Sequence, residues 1–174
     1  MLSQNSVEVL APAGTYEAVE AAVRCGADAV YLGGKMLNAR RNAGNFSFEE
    51  LKAAVEYCHA RGTKVYLTLN TLATDAEMKN DVQCAVRDAC QAGVDALIIQ
   101  DTGVLRIAKM CAPTMPLHAS TQMSVQSIEG IRVLEKMGFT RAVLPRELSE
   151  KEIKTISYSF IKINSKFTYF SHFF

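Results

Sequence analysis

Four times this chain runs a helix-like stretch into a glycine and then, two residues later, into a short apolar strand. The passages are Cys25-Gly26-Ala27-Asp28-Ala29-Val30-Tyr31-Leu32, Arg61-Gly62-Thr63-Lys64-Val65-Tyr66-Leu67-Thr68, Ala92-Gly93-Val94-Asp95-Ala96-Leu97-Ile98-Ile99 and Met137-Gly138-Phe139-Thr140-Arg141-Ala142-Val143-Leu144. Glycine just past a helix takes the left-handed conformation that stops it. A run of β-branched and aliphatic residues next reads as a buried strand. Helix–glycine–strand units in series imply an α/β fold, a parallel sheet wrapped by helices. Such folds carry their chemistry at the carboxyl ends of the strands.

Read along the chain, Val7 to Ala11 is the first strand, and Thr15 caps a helix to about Arg24. Strand two is Ala29 to Leu32, followed by Gly33-Gly34 and a longer connection from Lys35 to Phe46. Ser47 and Glu50 form a capping box for a helix from Phe48 to Ala60. Strand three is Lys64 to Leu69, and one helix runs from Thr74 or Asp75 to Gly93. Strand four is Ala96 to Ile99, with a helix to about Met110; strand five is Leu117 to Ser120, with a helix over Ser127 to Met137. Strand six is Ala142 to Leu144, and Ser149 with Glu152 caps a final helix. These are six βα units, where a complete (β/α) barrel of about 250 residues has eight. The expected architecture is therefore a barrel of the TIM type with about six of eight units present.

From Ser157 the composition shifts. No acidic residue follows Glu152, and Phe160, Phe167, Phe170, Phe173 and Phe174 crowd the end of the chain. Tyr158 to Ile163 reads as a possible seventh strand. The expected division is a partial barrel over residues 1–156 and an atypical aromatic tail over 157–174. That tail is read as an out-of-frame or non-native end, ahead of a native strand pair or an interface segment.

A net charge of +1 gives no global pull toward nucleic acid or membrane. The start of the chain is polar and no apolar run approaches the roughly 20 residues of a membrane span. Cytoplasm is the expectation. The cysteines at 25, 58, 84, 90 and 111 form no CxxC pair. Cys25, Cys58, Cys84 and Cys90 lie on predicted helices and read as small buried or half-buried residues in a reducing compartment, with no metal site.

The predicted strand ends carry Gly33, Gly34 and Lys35, then Asn70, then Gln100 and Asp101, then His118, Ser120, Thr121 and Gln122, then Arg146 and Glu147. Polar groups at successive strand ends converge on one rim of a barrel. His118, Ser120, Asp101 and Glu147 are the candidate catalytic residues. Asn38, Arg40, Asn70, Gln100, Gln122 and Arg146 are the candidate substrate-binding residues. Each has a plainer alternative. Asp101 precedes Thr102-Gly103 and suits a helix cap. His118 suits a core histidine. Arg146 and Glu147 suit a rim ion pair, and Ser120 beside Thr121 suits a local turn. His118 and Ser120 share a strand face. A nucleophile–base pair would further need mutual contact and an orienting acid. The loop Asn38-Ala39-Arg40-Arg41-Asn42-Ala43-Gly44-Asn45-Phe46 is polar and doubly basic, a composition suited to phosphate or carboxylate.

Several of these segments, in order, resemble the collagenase-like peptidase family (peptidase family U thirty-two). They are Val9-Leu10-Ala11-Pro12-Ala13-Gly14, Gly26 through Lys35, Asn38-Ala39-Arg40, Ala43-Gly44-Asn45-Phe46 and Leu69-Asn70-Thr71. Ala96 through Asp101, His118-Ala119-Ser120-Thr121-Gln122-Met123 and Val143 through Ser149 continue the series. The resemblance implies proteolysis by the family's name. For other members it implies hydroxylation of a tRNA or ribosomal RNA nucleotide, or of a quinone. Those hydroxylation systems are associated with an iron–sulfur cluster whose cysteine signature lies downstream of the matched region, so no cluster ligand is expected in this chain.

Three readings follow. The first is the N-terminal portion of an RNA hydroxylation enzyme. The second is a peptidase, and the third a non-catalytic assembly subunit. RNA or peptide is the implied partner, with no membrane. A six-stranded barrel leaves edges open at strands one and six, so a homo-oligomer is also expected.

Overall fold

The computed structural model describes residues 8–35, 37–38, 45–161 and 166–168, with side chains described as far as Ile156. Seven strands form one sheet in sequence order, every neighbouring pair parallel. They are β1 (Leu10–Pro12), β2 (Ala29–Gly33), β3 (Lys64–Leu69), β4 (Ala96–Ile99), β5 (Leu117–Ala119), β6 (Arg141–Val143) and β7 (Lys166–Thr168). The helices between them are α1 (Tyr16–Arg24), α2 (Phe48–His59), α3 (Asp75–Lys79), α4 (Asp81–Ala92), α5 (Thr102–Cys111), α6 (Ile128–Lys136) and α7 (Glu150–Ile161). The strand–helix alternation over β1 to α7 gives the six units of a partial (β/α) barrel.

The four glycines behave as their positions predict. Gly26, Gly62, Gly93 and Gly138 all have φ between 75° and 89°, the left-handed region. A residue one or two positions later then ties each new strand to its predecessor. Asp28 Oδ2 accepts from Val9 N at 2.8 Å, and Asp95 Oδ2 accepts from Val65 N at 2.7 Å. Thr140 Oγ1 donates to Leu117 O at 3.2 Å, and Thr63, one place after its glycine, donates to Ala27 O at 3.1 Å. The repeat thus supplies the helix stop and the first hydrogen bond of the next pairing.

Both faces of the sheet are covered, which is why its strands read as continuous apolar runs. Val30, Leu32, Val65, Leu67, Leu97 and Ile99 pack outward against Val19, Leu51, Val55, Val86 and Val104 of the helices. Ala29, Tyr66, Ala96 and Ile98 point inward with Leu10 and Tyr31. Residues two apart share a face. Thr68 and Asn70 therefore follow Tyr66 inward, and Ser120 follows His118.

Three expectations are corrected. Where a strand was expected from Tyr158 to Ile163, α7 continues to Ile161, residues 162 and 163 lie outside the described residues, and the seventh strand is Lys166–Thr168. The open edge expected at strand six moves accordingly, because β7 pairs with β6. The single helix expected up to Gly93 is two, since Asn80 (φ −127°, ψ −57°) breaks α3 from α4. Thr74 and Glu77 form the capping box that starts α3. No helix among the described residues is long and apolar enough to cross a membrane.

Candidate functional site at the strand ends

The carboxyl ends of the strands open onto a cavity of about 400 Å³ on the inner face. Leu10, Tyr31, Ile98, Val143 and Pro145 supply apolar wall. Thr68, Asn70, Ser120, Thr121, Gln122, Ser124 and Gln126 supply hydroxyl and amide groups, and Arg146 and Glu147 the charges. Of the residues selected from sequence, Asn70, Ser120, Gln122, Arg146 and Glu147 line this cavity together.

Ser120 is 4% exposed. Its Oγ accepts from Gln122 N at 3.3 Å and its backbone N–H donates to Ile99 O. These bonds hold the one-turn 3-10 helix Thr121–Met123 against the end of β4. Ser124, at φ 55°, then turns the chain out of that helix.

The other selected residues lie elsewhere. His118 is buried on the inner face of β5, its ring edge-on to Tyr66 with centroids 4.7 Å apart. It sits one strand step below Ser120 and is not part of the cavity wall. Asp101 caps α5: Oδ1 accepts from Gly103 N at 2.6 Å and Val104 N at 3.1 Å. Its Oδ2 accepts from Ala73 N at 3.4 Å, tying the β3–α3 loop to α5. Gln100 is half-buried just past β4, outside the cavity lining. Arg40 lies outside the described residues.

Asn38 works inside the wall. Its Nδ2 donates to Asn45 Oδ1 at 2.9 Å, and its Oδ1 accepts from Thr68 Oγ1 at 3.3 Å. The side chain lies over Gly33, where a Cβ would come within 1.7 Å of Nδ2. Phe46 N donates to Gly33 O, and the parallel bridge Gly34–Phe46 closes the same neck. Leu37, buried at φ 58°, carries the chain into this turn. A leucine in the left-handed region is strained and needs such surroundings to persist.

Beneath the cavity the inner face is charged, which sequence inspection missed. Arg141 pairs with Glu8; Tyr66 OH donates to Glu8 Oε1 at 2.9 Å, and Lys64 Nζ lies 3.7 Å from Oε2. Burial raises the Glu8 carboxyl, but the Arg141, Tyr66 and Lys64 contacts outweigh it and bring its pKa down to about 2. Burial lowers Arg141, and the bond to Glu8 more than restores it, leaving it raised. Burial, reinforced by Glu8, pushes the Tyr66 phenol well above its usual value. Tyr31 and Thr68 were also passed over. The signal for them was the two-residue alternation running from Ala29 and Tyr66.

The cysteines do not suit an iron–sulfur cluster. Of the four expected to be buried or half-buried, Cys58 is buried, with its thiol pushed up to about 11 mainly by burial, whereas Cys25, Cys84 and Cys90, like Cys111, are exposed on or at the ends of helices. A cluster needs converging thiolates. No group of three His, Cys, Asp or Glu converges among the described residues.

Comparison with known proteins places this architecture. The chain is 40% identical over 155 residues to the 23S rRNA 5-hydroxycytidine C2501 synthase of Escherichia coli, covering 89% of this chain and 23% of that protein. It is 38% identical to tRNA hydroxylation protein P1 of Bacillus subtilis, covering 84% of this chain and 35% of that protein. It is 34% identical to a collagenase of Porphyromonas gingivalis, covering 94% and 39%. It therefore spans only a quarter to two fifths of the length of these relatives. The solved structure of the U32 peptidase Mk0906 superposes with a TM-score of 0.69 at 16% identity, over 91% of this chain and 67% of that one, a likeness of fold. The family model for peptidase family U32 matches residues 14–172. On this match the chain belongs to peptidase family U32.

Proposed function

We propose that this barrel serves RNA hydroxylation, holding a tRNA or ribosomal RNA nucleotide in the strand-end cavity. The observation that carries the reading is the cavity's lining, half of which offers neutral amides and hydroxyls, with the exposed Arg146 beside them. Amide and hydroxyl groups match the hydrogen-bonding edges of an unstacked base, and aromatic faces such as that of Tyr31 stack on it. Arginine at the mouth suits the adjoining phosphate. The names of the Escherichia coli and Bacillus subtilis relatives support the same reading. What these residues supply is binding and orientation of the nucleotide.

The test is mass spectrometry of nucleosides from a strain lacking the gene. A hydroxynucleoside should disappear and return on complementation. Unchanged RNA would sink the proposal.

Peptide hydrolysis is the competing reading, supported by the Porphyromonas gingivalis collagenase. Its residue set is less suitable. Asp101 is committed to capping α5, and His118 lies below the cavity wall. Cleavage of gelatin by the purified chain, abolished by Ser120→Ala or His118→Ala, would establish it instead.

A further inference from the structure

The two most buried hydroxyls of the cavity wall differ in where their protons go. Thr68 is 6% exposed and has two protein acceptors for its single proton, Leu32 O at 3.1 Å and Asn38 Oδ1 at 3.3 Å. Ser120 is 4% exposed, and its oxygen already accepts from Gln122 N. Among the described residues nothing accepts the Ser120 proton. A buried donor left without a partner is costly. The cavity is the open side of this residue, so its proton is available to an acceptor on a bound ligand.

The walls around Ser120 say what kind of acceptor. Ile98 and Val143 are apolar, and among the described lining residues the charged groups are Arg146 and Glu147, both exposed at the mouth. Arg141, deeper inside, is neutralised by Glu8. An anion at the level of Ser120 would lose its hydration with no cation to replace it. A neutral carbonyl oxygen would not.

We propose that Ser120 is a recognition residue: its hydroxyl donates to a carbonyl oxygen of an uncharged planar group, a nucleobase carbonyl, while the phosphate of the same nucleotide stays at the mouth with Arg146. This deepens the RNA reading and rests on it. It also gives Ser120 a role other than nucleophile.

The experiment is NMR titration of the purified chain with uridine, cytidine and adenosine 5′-monophosphates, and with ribose 5-phosphate. Uracil and cytosine carry a carbonyl and adenine does not. Ser120→Ala should weaken both pyrimidine nucleotides by about 3- to 10-fold, the range of one neutral hydrogen bond. Adenosine monophosphate and ribose 5-phosphate should be unaffected. Ser120→Cys, which keeps the volume but offers a poor donor, should behave as Ser120→Ala and guards against a collapsed site. Arg146→Ala should weaken every phosphate-bearing probe alike. Equal loss for adenosine monophosphate would overturn the carbonyl assignment. Unchanged pyrimidine binding in both Ser120 variants would overturn the donor role while leaving the RNA reading standing. If the wild-type chain binds none of the nucleotides, the RNA reading falls and the proposal with it.

Discussion

Arg141, the first residue of β6, reaches across the inner face of the sheet to pair with Glu8, just ahead of β1. The two are 133 residues apart in sequence. Arg141 is 6% exposed and its guanidinium lies 5.3 Å from the Tyr66 ring centroid. The pair acts as a brace that keeps the sheet curled, joining its first strand to its sixth. Removing one partner strands the other. Glu8→Gln should cost about 3 kcal/mol, since it leaves a buried guanidinium without its carboxylate. Arg141→Met should cost less, because Glu8 keeps Lys64 and some solvent. Combining Arg141→Met with Glu8→Leu should recover part of the loss. Urea unfolding of the variants checks this, and strictly additive losses in the double variant would argue against a coupled pair.

The same brace sets a pH dependence. Glu8 is depressed from 4.5 to about 2 in the folded chain. A depressed carboxylate contributes stability that is fully present above its unfolded value and is lost as pH falls through its folded value. The contribution is therefore complete above about pH 4.5 and drains away between there and pH 2. Wild-type stability should fall through that window more steeply than that of Glu8→Gln. Unfolding midpoints across the acid range measure it, and parallel curves would show that Glu8 is not the group responsible.

Local features of the fold were legible in the sequence because their causes are local. Each helix-stopping glycine took a left-handed φ. The capping boxes at Ser47 with Glu50 and Ser149 with Glu152 formed as read, since both partners lie within one helical turn. The break at Asn80 was not legible: an apolar periodicity spans both helices, and Asn80 between them makes no side-chain capping bond that would mark a new start. The strand-end rule picks out Asn70, Ser120, Gln122, Arg146 and Glu147, which share the cavity lining. It could not judge depth, so His118, one step below Ser120 on the same face, looked equally available. The Glu8–Arg141 pair was out of reach for a different reason. Strand patterns give the face a residue points to, and nothing about which residue meets it across the interior.

Gly33 and Gly34 are neighbours with opposite tolerance. A Cβ on Gly33 would fall 1.7 Å from Asn38 Nδ2 and 2.4 Å from its Cγ, whereas on Gly34 the nearest atom is Leu67 Cδ1 at 3.9 Å. Gly33→Ala must eject the Asn38 side chain, breaking its bonds to Asn45 and Thr68 inside a buried wall. A loss of about 2–3 kcal/mol is expected from the clash and the stranded polar groups. Gly34→Ala should be near neutral. Thermal melting of the two variants side by side decides it, and equal effects would mean that Asn38 does not need Gly33 beneath it.

Asp101 occupies a strand end, where catalytic residues gather, yet both its oxygens face backbone N–H groups. Oδ1 holds the first turn of α5 through Gly103 and Val104, and Oδ2 holds Ala73. A carboxylate engaged with these amides serves the frame of the site. Asp101→Ala should cost about 1–2 kcal/mol, the usual loss for an N-cap. Asp101→Asn keeps an acceptor for the cap and should restore most of that stability. If Asp101 were a catalytic acid or base, Asn would rescue folding but not function. Under the proposed RNA reading, the frame role predicts that Asp101→Asn restores the modified nucleoside in a deletion strain, read by nucleoside mass spectrometry. Full stability with lost modification in Asp101→Asn would reassign the residue to the chemistry.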